Sequence, residues 1–420
     1  TLNQGVTGTA TGDAVVLSTT ANFINNAGAT AVQATHASGR WLVYSNAPAT
    51  NTFGNLASGQ GALHGRTINS HAPGTISQTG NRYLFATTPS LTVQATLIDT
   101  KTYGDTYTFP ALVEGTHYTV TGFVNAATYG NVFTQDDAST IGLSGAPLLD
   151  SLGAAAGATV GGSPYTVTIT QGTLANTAGY NFGTFTSGGG ITVTQRAITL
   201  TADAATKTYG DSDPALGVSL ATGSTLATGD TLADVTGTVG RQSGNTVGVY
   251  DIQLGTGSKA GNYAITFDAD NDAFTITPKT INLNGVAANG KTYDGTTTAT
   301  FDLSGASLNG VLVGDMVQIG TGSGTFASKD AGIGIAVTAN GFTLVGTDAG
   351  NYSLAAQPTG LSADITPKAL TVTANDANRA QDQGNPVFSA TYSGFVPGEG
   401  PSHLSGTLVF STVSGYVPVG

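Results

Sequence analysis

The chain has 420 residues, enough for about three domains; 60 of them are glycine and only 9% are charged. Twenty-three aspartates and two glutamates against 13 lysines and arginines leave a net charge of −12, which argues against a nucleic-acid or anionic-lipid surface. Cysteine is absent, so disulfides, thiol nucleophiles and Cys-based metal sites are excluded, and no run of about 18 apolar residues is present to span a membrane.

Residues 1–90 carry short apolar clusters at Val15–Leu17, Phe23–Ile24, Val32 and Trp41–Tyr44, parted by Gly, Asn and Thr. Their spacing fits the rungs of a parallel β-helix with a tight corner at Asn25–Gly28. Trp41, the only tryptophan, is expected to close the open end, with Arg82–Phe85 as a further covering strand.

Beyond residue 90 the sequence repeats itself. "KTYGD" stands at 101–105 and 207–211, and "KTYDG" at 291–295. Each unit opens on an alternating strand, at 196–203, 279–286 and 368–375, and the K-T-Y turn follows. An Asn-Tyr pair leads a later strand at 261–267 and 350–356, reversed to Tyr-Asn at 179–185, and closing strands lie at 191–196, 274–279 and 363–368. The expected modules are 91–195, 196–279, 280–368 and an incomplete one at 369–420, where Arg379 and Gln381 replace the lysine and tyrosine. Period-2 alternation with Gly, Asn and Asp turns makes the chain all-β, the modules being sandwiches in an extended rod. Pro278 and Pro367 end strands without adding a loose linker. The best helical candidate is 148–158, and the glycines of 186–190 read as a loop inside a module. The chain is expected to be an internal piece of a longer one.

Here the residues resemble a known group. "GDAVVL", "NFINNAGA" and "GRWLVYS" are similar to the β-helix end of two-partner-secreted adhesins of the filamentous-haemagglutinin type. "KTYDGTTTATF" resembles the opening of a YDG module, and "KTYGDSDPAL" and "NPVFSATYSGFVPGE" resemble MBG modules. The resemblance implies a large Gram-negative surface or secreted adhesin acting in attachment, aggregation or biofilm cohesion. Its partners would be an outer-membrane transporter pore and a polysaccharide or host glycan. A chain without disulfides suits export unfolded, and repeats contacting only their neighbours can fold as they emerge.

No catalytic or cofactor-binding residue is assigned. The K-T-Y tyrosine is either a sugar-stacking platform or a turn residue packed on the module edge along the lysine stem; Gln381 in the fourth unit favours the latter. Isopeptide bonds from Lys101, Lys207 and Lys291 need a buried carboxylate beside a Lys-Asn pair, and the only glutamates are Glu114 and Glu399. Asp268, Asp270 and Asp272 take the first, third and fifth places of a calcium loop, but Ala273 and Lys279 stand where it needs Gly and Glu. Residues 255–261 have the wrong spacing for a phosphate loop, 142–146 lack a nucleophile elbow, and the five histidines are scattered. The expectation is a non-enzymatic spacer; a carbohydrate-binding module is the alternative.

Overall fold

Alternating and β-branched runs become short strands throughout the computed structural model, which describes residues 1–133, 135–268 and 273–412. The protein is mostly β, in many small sheets. Two short α-helices are described, Ala126–Tyr129 and Leu232–Thr236. The second starts on a capping box in which Thr231 and Asp234 each satisfy the other's backbone N–H. No described helix is long and apolar enough to cross a membrane.

In the N-terminal region all strand pairings are parallel. Gly12–Ser18, Gly39–Ser45 and Arg82–Phe85 lie side by side in that order, with Val16 opposite Leu42 and Leu42 opposite Arg82. Val6–Gly8 pairs with Val32–Ala34. Both faces of the middle strand are buried: Trp41 and Val43 enter one core while Leu42 and Tyr44 enter another. That is why these strands read as unbroken apolar runs. Trp41 therefore does not close an end. It sits on the middle strand with its ring edge-on to Tyr83 at 5.2 Å. The cover comes from a distant segment, where Val132 and Phe133 pack onto Phe53, Tyr83 and Phe85.

The repeats share one pairing scheme. Each opening strand is the centre of a three-stranded sheet, with the strand of the Asn-Tyr or Tyr-Asn pair parallel to it. The pairs are Ser90–Ala95 with Asn181–Thr186, Arg196–Ala202 with Tyr263–Asp268, and Lys279–Asn284 with Tyr352–Leu354. The strand entering the K-T-Y turn runs parallel to the closing strand, so that Lys101 faces Val193, Lys207 faces Ile276 and Lys291 faces Ile365. In the fourth repeat Thr371–Ala374 pairs antiparallel with Ala390–Ser393.

Two compact units result. One holds residues 1–201, 219–238 and 254–268; the other holds 202–218, 239–253 and 269–420. In the first unit, both sheets of the first repeat turn their inner faces to one core containing Leu91, Val93, Val167, Ile169 and Ile191. A separate cluster joins Tyr103, Ala158 and Val193 of the first repeat to Ile198, Leu200, Val235 and Tyr263 of the next. In the second unit Ala299, Phe326, Val337 and Ile365 form the centre of the third repeat.

Two local expectations change. The stretch at 148–158 is not a helix: Leu148–Asp150 pairs with residues 168–170, and Ser151 then caps a single 3-10 turn by accepting from Gly153 N. The glycines of 186–190 are not a loop. Gly188–Thr194 is a strand, and Gly189 has a φ of +64° with Leu97 O within 2.0 Å of where a Cβ would stand.

Candidate functional site at the repeat joints

The recurring lysine closes its own turn. Lys101 Nζ donates to Asp105 O at 2.7 Å, Lys207 Nζ to Asp211 O at 3.1 Å and Lys291 Nζ to Thr296 O at 2.7 Å. Arg379 does the same to Gln383 O in the fourth repeat. Lys207 also pairs with Asp213 at 2.8 Å, and Lys291 with Asp294 at 2.8 Å. The partners are carbonyls, aspartates and the Thr296 hydroxyl, so among the described residues these lysines bond to no asparagine side chain.

A lysine-clamped turn holds the following tyrosine outward, towards the next repeat. Tyr103 Oη donates to Asp230 Oδ2 at 3.0 Å, and Tyr209 Oη to Asp315 Oδ2 at 2.9 Å. Tyr293 Oη donates to Glu399 Oε1. The Asn-Tyr pair of the receiving repeat completes the arrangement. Tyr263 Oη donates to Asp230 at 2.6 Å while accepting from Ala227 N at 3.0 Å. Tyr352 Oη donates to Asp315 and accepts from Leu312 N at 3.0 Å. The paired tyrosine rings meet edge to face, 5.5 Å apart for Tyr103 and Tyr263 and 5.4 Å for Tyr209 and Tyr352. The neighbouring asparagine reaches back: Asn262 Oδ1 accepts from Val160 N and Asn351 Oδ1 from Val247 N, each at 2.9 Å.

The turn glycines make the close approach achievable. A Cβ on Gly104 would stand 2.5 Å from Ala227 Cβ, and one on Gly210 2.5 Å from Leu312 Cδ1. Both glycines have a φ of +88°, a left-handed conformation costly for other residues.

Electrostatics follow from this geometry. Burial works against the charge on Asp230, but hydrogen bonds from Lys259, Tyr263 and Tyr103 outweigh it and hold the carboxyl below its usual range. Burial and the aspartate push Tyr263 up to about 12, and Tyr352 likewise to about 12. Lys259 Nζ lies 2.6 Å from Asp230 Oδ1 in the first joint. At the matching place in the second stands Asp348, whose Oδ2 accepts from Met316 N at 2.8 Å.

The sugar-platform reading of the tyrosine finds little support here. Tyr103 and Tyr263 are 5% and 2% exposed. Tyr103 borders a cleft of about 420 Å³ whose lining is otherwise mostly polar or small, including Thr159, Asp230, Ser258, Lys259 and Asn262. The Tyr103 and Tyr209 rings pack on Tyr263 and Tyr352 of the next repeat, and their hydroxyls bind that repeat's aspartate. Sequence reasoning missed the acid. A signal was present: an apolar residue, any residue, glycine and an acid recur as Ala227–Asp230, Leu312–Asp315 and Val396–Glu399.

The remaining candidates are local. Residues 255–261 place Lys259 on Asp230, and Ser144 of 142–146 forms an antiparallel bridge with Ala175. Of the calcium-loop aspartates, Asp270 and Asp272 lie outside the described residues. Among the described residues no group of three His, Asp or Glu could hold a metal. One histidine is wholly buried: His64 Nε2 lies 3.5 Å from Asp136 Oδ2, and that oxygen accepts from Tyr180 Oη at 2.6 Å. This cluster is sealed from solvent, and it ties the segment bearing Asp136 to the N-terminal region.

A mostly-β chain of repeats, interlocked by tyrosines on carboxylates, is the class of protein the fold and joints define. Residues 277–360 match the YDG domain, and residues 198–275 and 370–416 match the MBG domain (YGX type). The chain thus carries domains of both kinds, which are typical of large bacterial surface repeat proteins. No match was found among curated proteins or among solved structures.

Proposed function

We propose that this chain is a spacer segment of a large secreted bacterial surface adhesin, holding a binding region away from the cell during attachment, aggregation or biofilm cohesion. The observation that carries this reading is the joint: tyrosine, carboxylate and tyrosine bind successive repeats with partly buried, directional hydrogen bonds instead of a flexible tether. On this reading the parallel strands of residues 1–90 are the end of a β-helix, and 91–195, 196–279, 280–368 and 369–420 are its tandem modules. The parent would act outside a Gram-negative cell after export through an outer-membrane partner pore, without enzymatic activity. Small-angle scattering and a glycan array with matrix polysaccharides test it together. An extended particle without saturable glycan binding is expected. Saturable binding by this chain would replace the spacer with a carbohydrate-binding module.

A further inference from the structure

The three joints use two different acids, and the choice follows the turn that enters the joint. Asp230 and Glu399 both lie in MBG domains, so the kind of receiving domain does not select the acid. Asp315 lies in the YDG domain and is again an aspartate. Glu399 has Lys329 at 3.7 Å where Asp230 and Asp315 each have a second tyrosine, and its first donor also comes from a different turn. Tyr103 and Tyr209 are followed directly by glycine, whereas Tyr293 is followed by Asp294 and only then by Gly295.

We propose that acid length is matched to glycine position, so that each repeat is keyed to the turn of the repeat before it. The turn glycine is the contact point with the apolar residue three places before the acid. In the Tyr-Gly order that contact is tight, with a would-be Cβ 2.5 Å from Ala227 or Leu312. In the Tyr-Asp-Gly order the glycine has moved one residue from the tyrosine, and a Cβ on Gly295 would stand 3.1 Å from Val396. Asp294 is turned away, bonding Lys291 Nζ and Thr296 N. The receiving loop thus docks in a different place relative to the tyrosine hydroxyl, and one more methylene lets the carboxylate reach it. Glycine precedes the acid in all three loops with φ of +90°, +100° and +88°, so the loops themselves are alike and the side chain makes up the difference. The partner this surface fits is a repeat of the same kind with the matching acid.

Swapping keys in the full chain tests this. D294G/G295D gives the third turn the Tyr-Gly-Asp order of Tyr209–Asp211. Either that variant or Glu399→Asp alone is expected to speed amide exchange over 396–399 about tenfold, from loss of a charged hydrogen bond. Combining them is expected to return exchange to within about threefold of the parent. Exchange in the strand Gly332–Asn340 reports that the repeat stays folded. If D294G/G295D disturbs that strand, Asp315→Glu at the second joint takes over, with about tenfold faster exchange expected around Met316. The proposal is overturned if the combined variant exchanges as fast as D294G/G295D or Glu399→Asp does separately, or if Glu399→Asp and Asp315→Glu each leave exchange unchanged.

Discussion

At the residue scale, one carboxylate takes the work of two tyrosines, and its side chain is mostly buried in the first joint. Tyr103→Phe removes one hydrogen bond to an ionised acceptor while Tyr263 and Lys259 still hold Asp230. The expected loss is about 1.5–3 kcal/mol, read from urea denaturation. The pH behaviour has two sides. Asp230 titrates lower when folded than unfolded, so its contribution is present above the ordinary carboxylate range and is lost as pH falls below it. Tyr263 and Tyr352 titrate higher when folded, at about 12, so their contribution is complete below the ordinary tyrosine value of about 10 and is lost as pH rises between the two. Absorbance titration at the phenolate band is expected to show a fraction of the tyrosines ionising only near 12; a single step near the ordinary value would contradict the buried joint. Asp213, held down to about 2 by hydrogen bonds from Arg241 and Lys207, adds a second acid-sensitive contact outside the joints.

Elements supply what single residues cannot. The segment 124–133 leaves the first repeat to cover the N-terminal core with Val132 and Phe133, and Ser58 N donates to Val132 O at 2.6 Å. Phe133 is 1% exposed. Phe133→Ala is expected to cost about 3–5 kcal/mol and to speed exchange of the Ser58 amide, which hydrogen exchange with fragment resolution would detect. Turns act at the same scale. Gly104→Ala meets both a left-handed φ and the methyl of Ala227, so it is expected to destabilise the first unit by about 1–3 kcal/mol, measurable as a lowered melting temperature.

For the whole molecule, the borders of the compact units do not coincide with the borders of the repeats. The sheet centred on Arg196–Ala202 belongs largely to the first unit, while Ala205–Thr208 and Phe274–Thr277 of the same repeat belong to the second. A fragment ending at residue 195 loses Ile198, Leu200, Val235 and Tyr263 from the cluster shared with Tyr103 and Val193. Its melting temperature is expected to lie roughly 5–10 °C below that of a fragment ending at residue 268; equal values would show that the shared cluster adds nothing.

The sequence by itself determined the mostly-β character, the repeats and the equivalence of Lys101, Lys207 and Lys291, because alternation and turn chemistry are local and recur in register. It also held the K-T-Y, Asn-Tyr and Gly-acid signals, but as separate entries along the chain. Only the tertiary structure decided that these meet. Tyr103 and Asp230 are 127 residues apart, and no periodicity within one repeat reports a hydrogen bond made to the next. The same reason hid the cover over Trp41: burial of the N-terminal core depends on a segment beyond residue 120, and packing between distant segments leaves no local pattern to read.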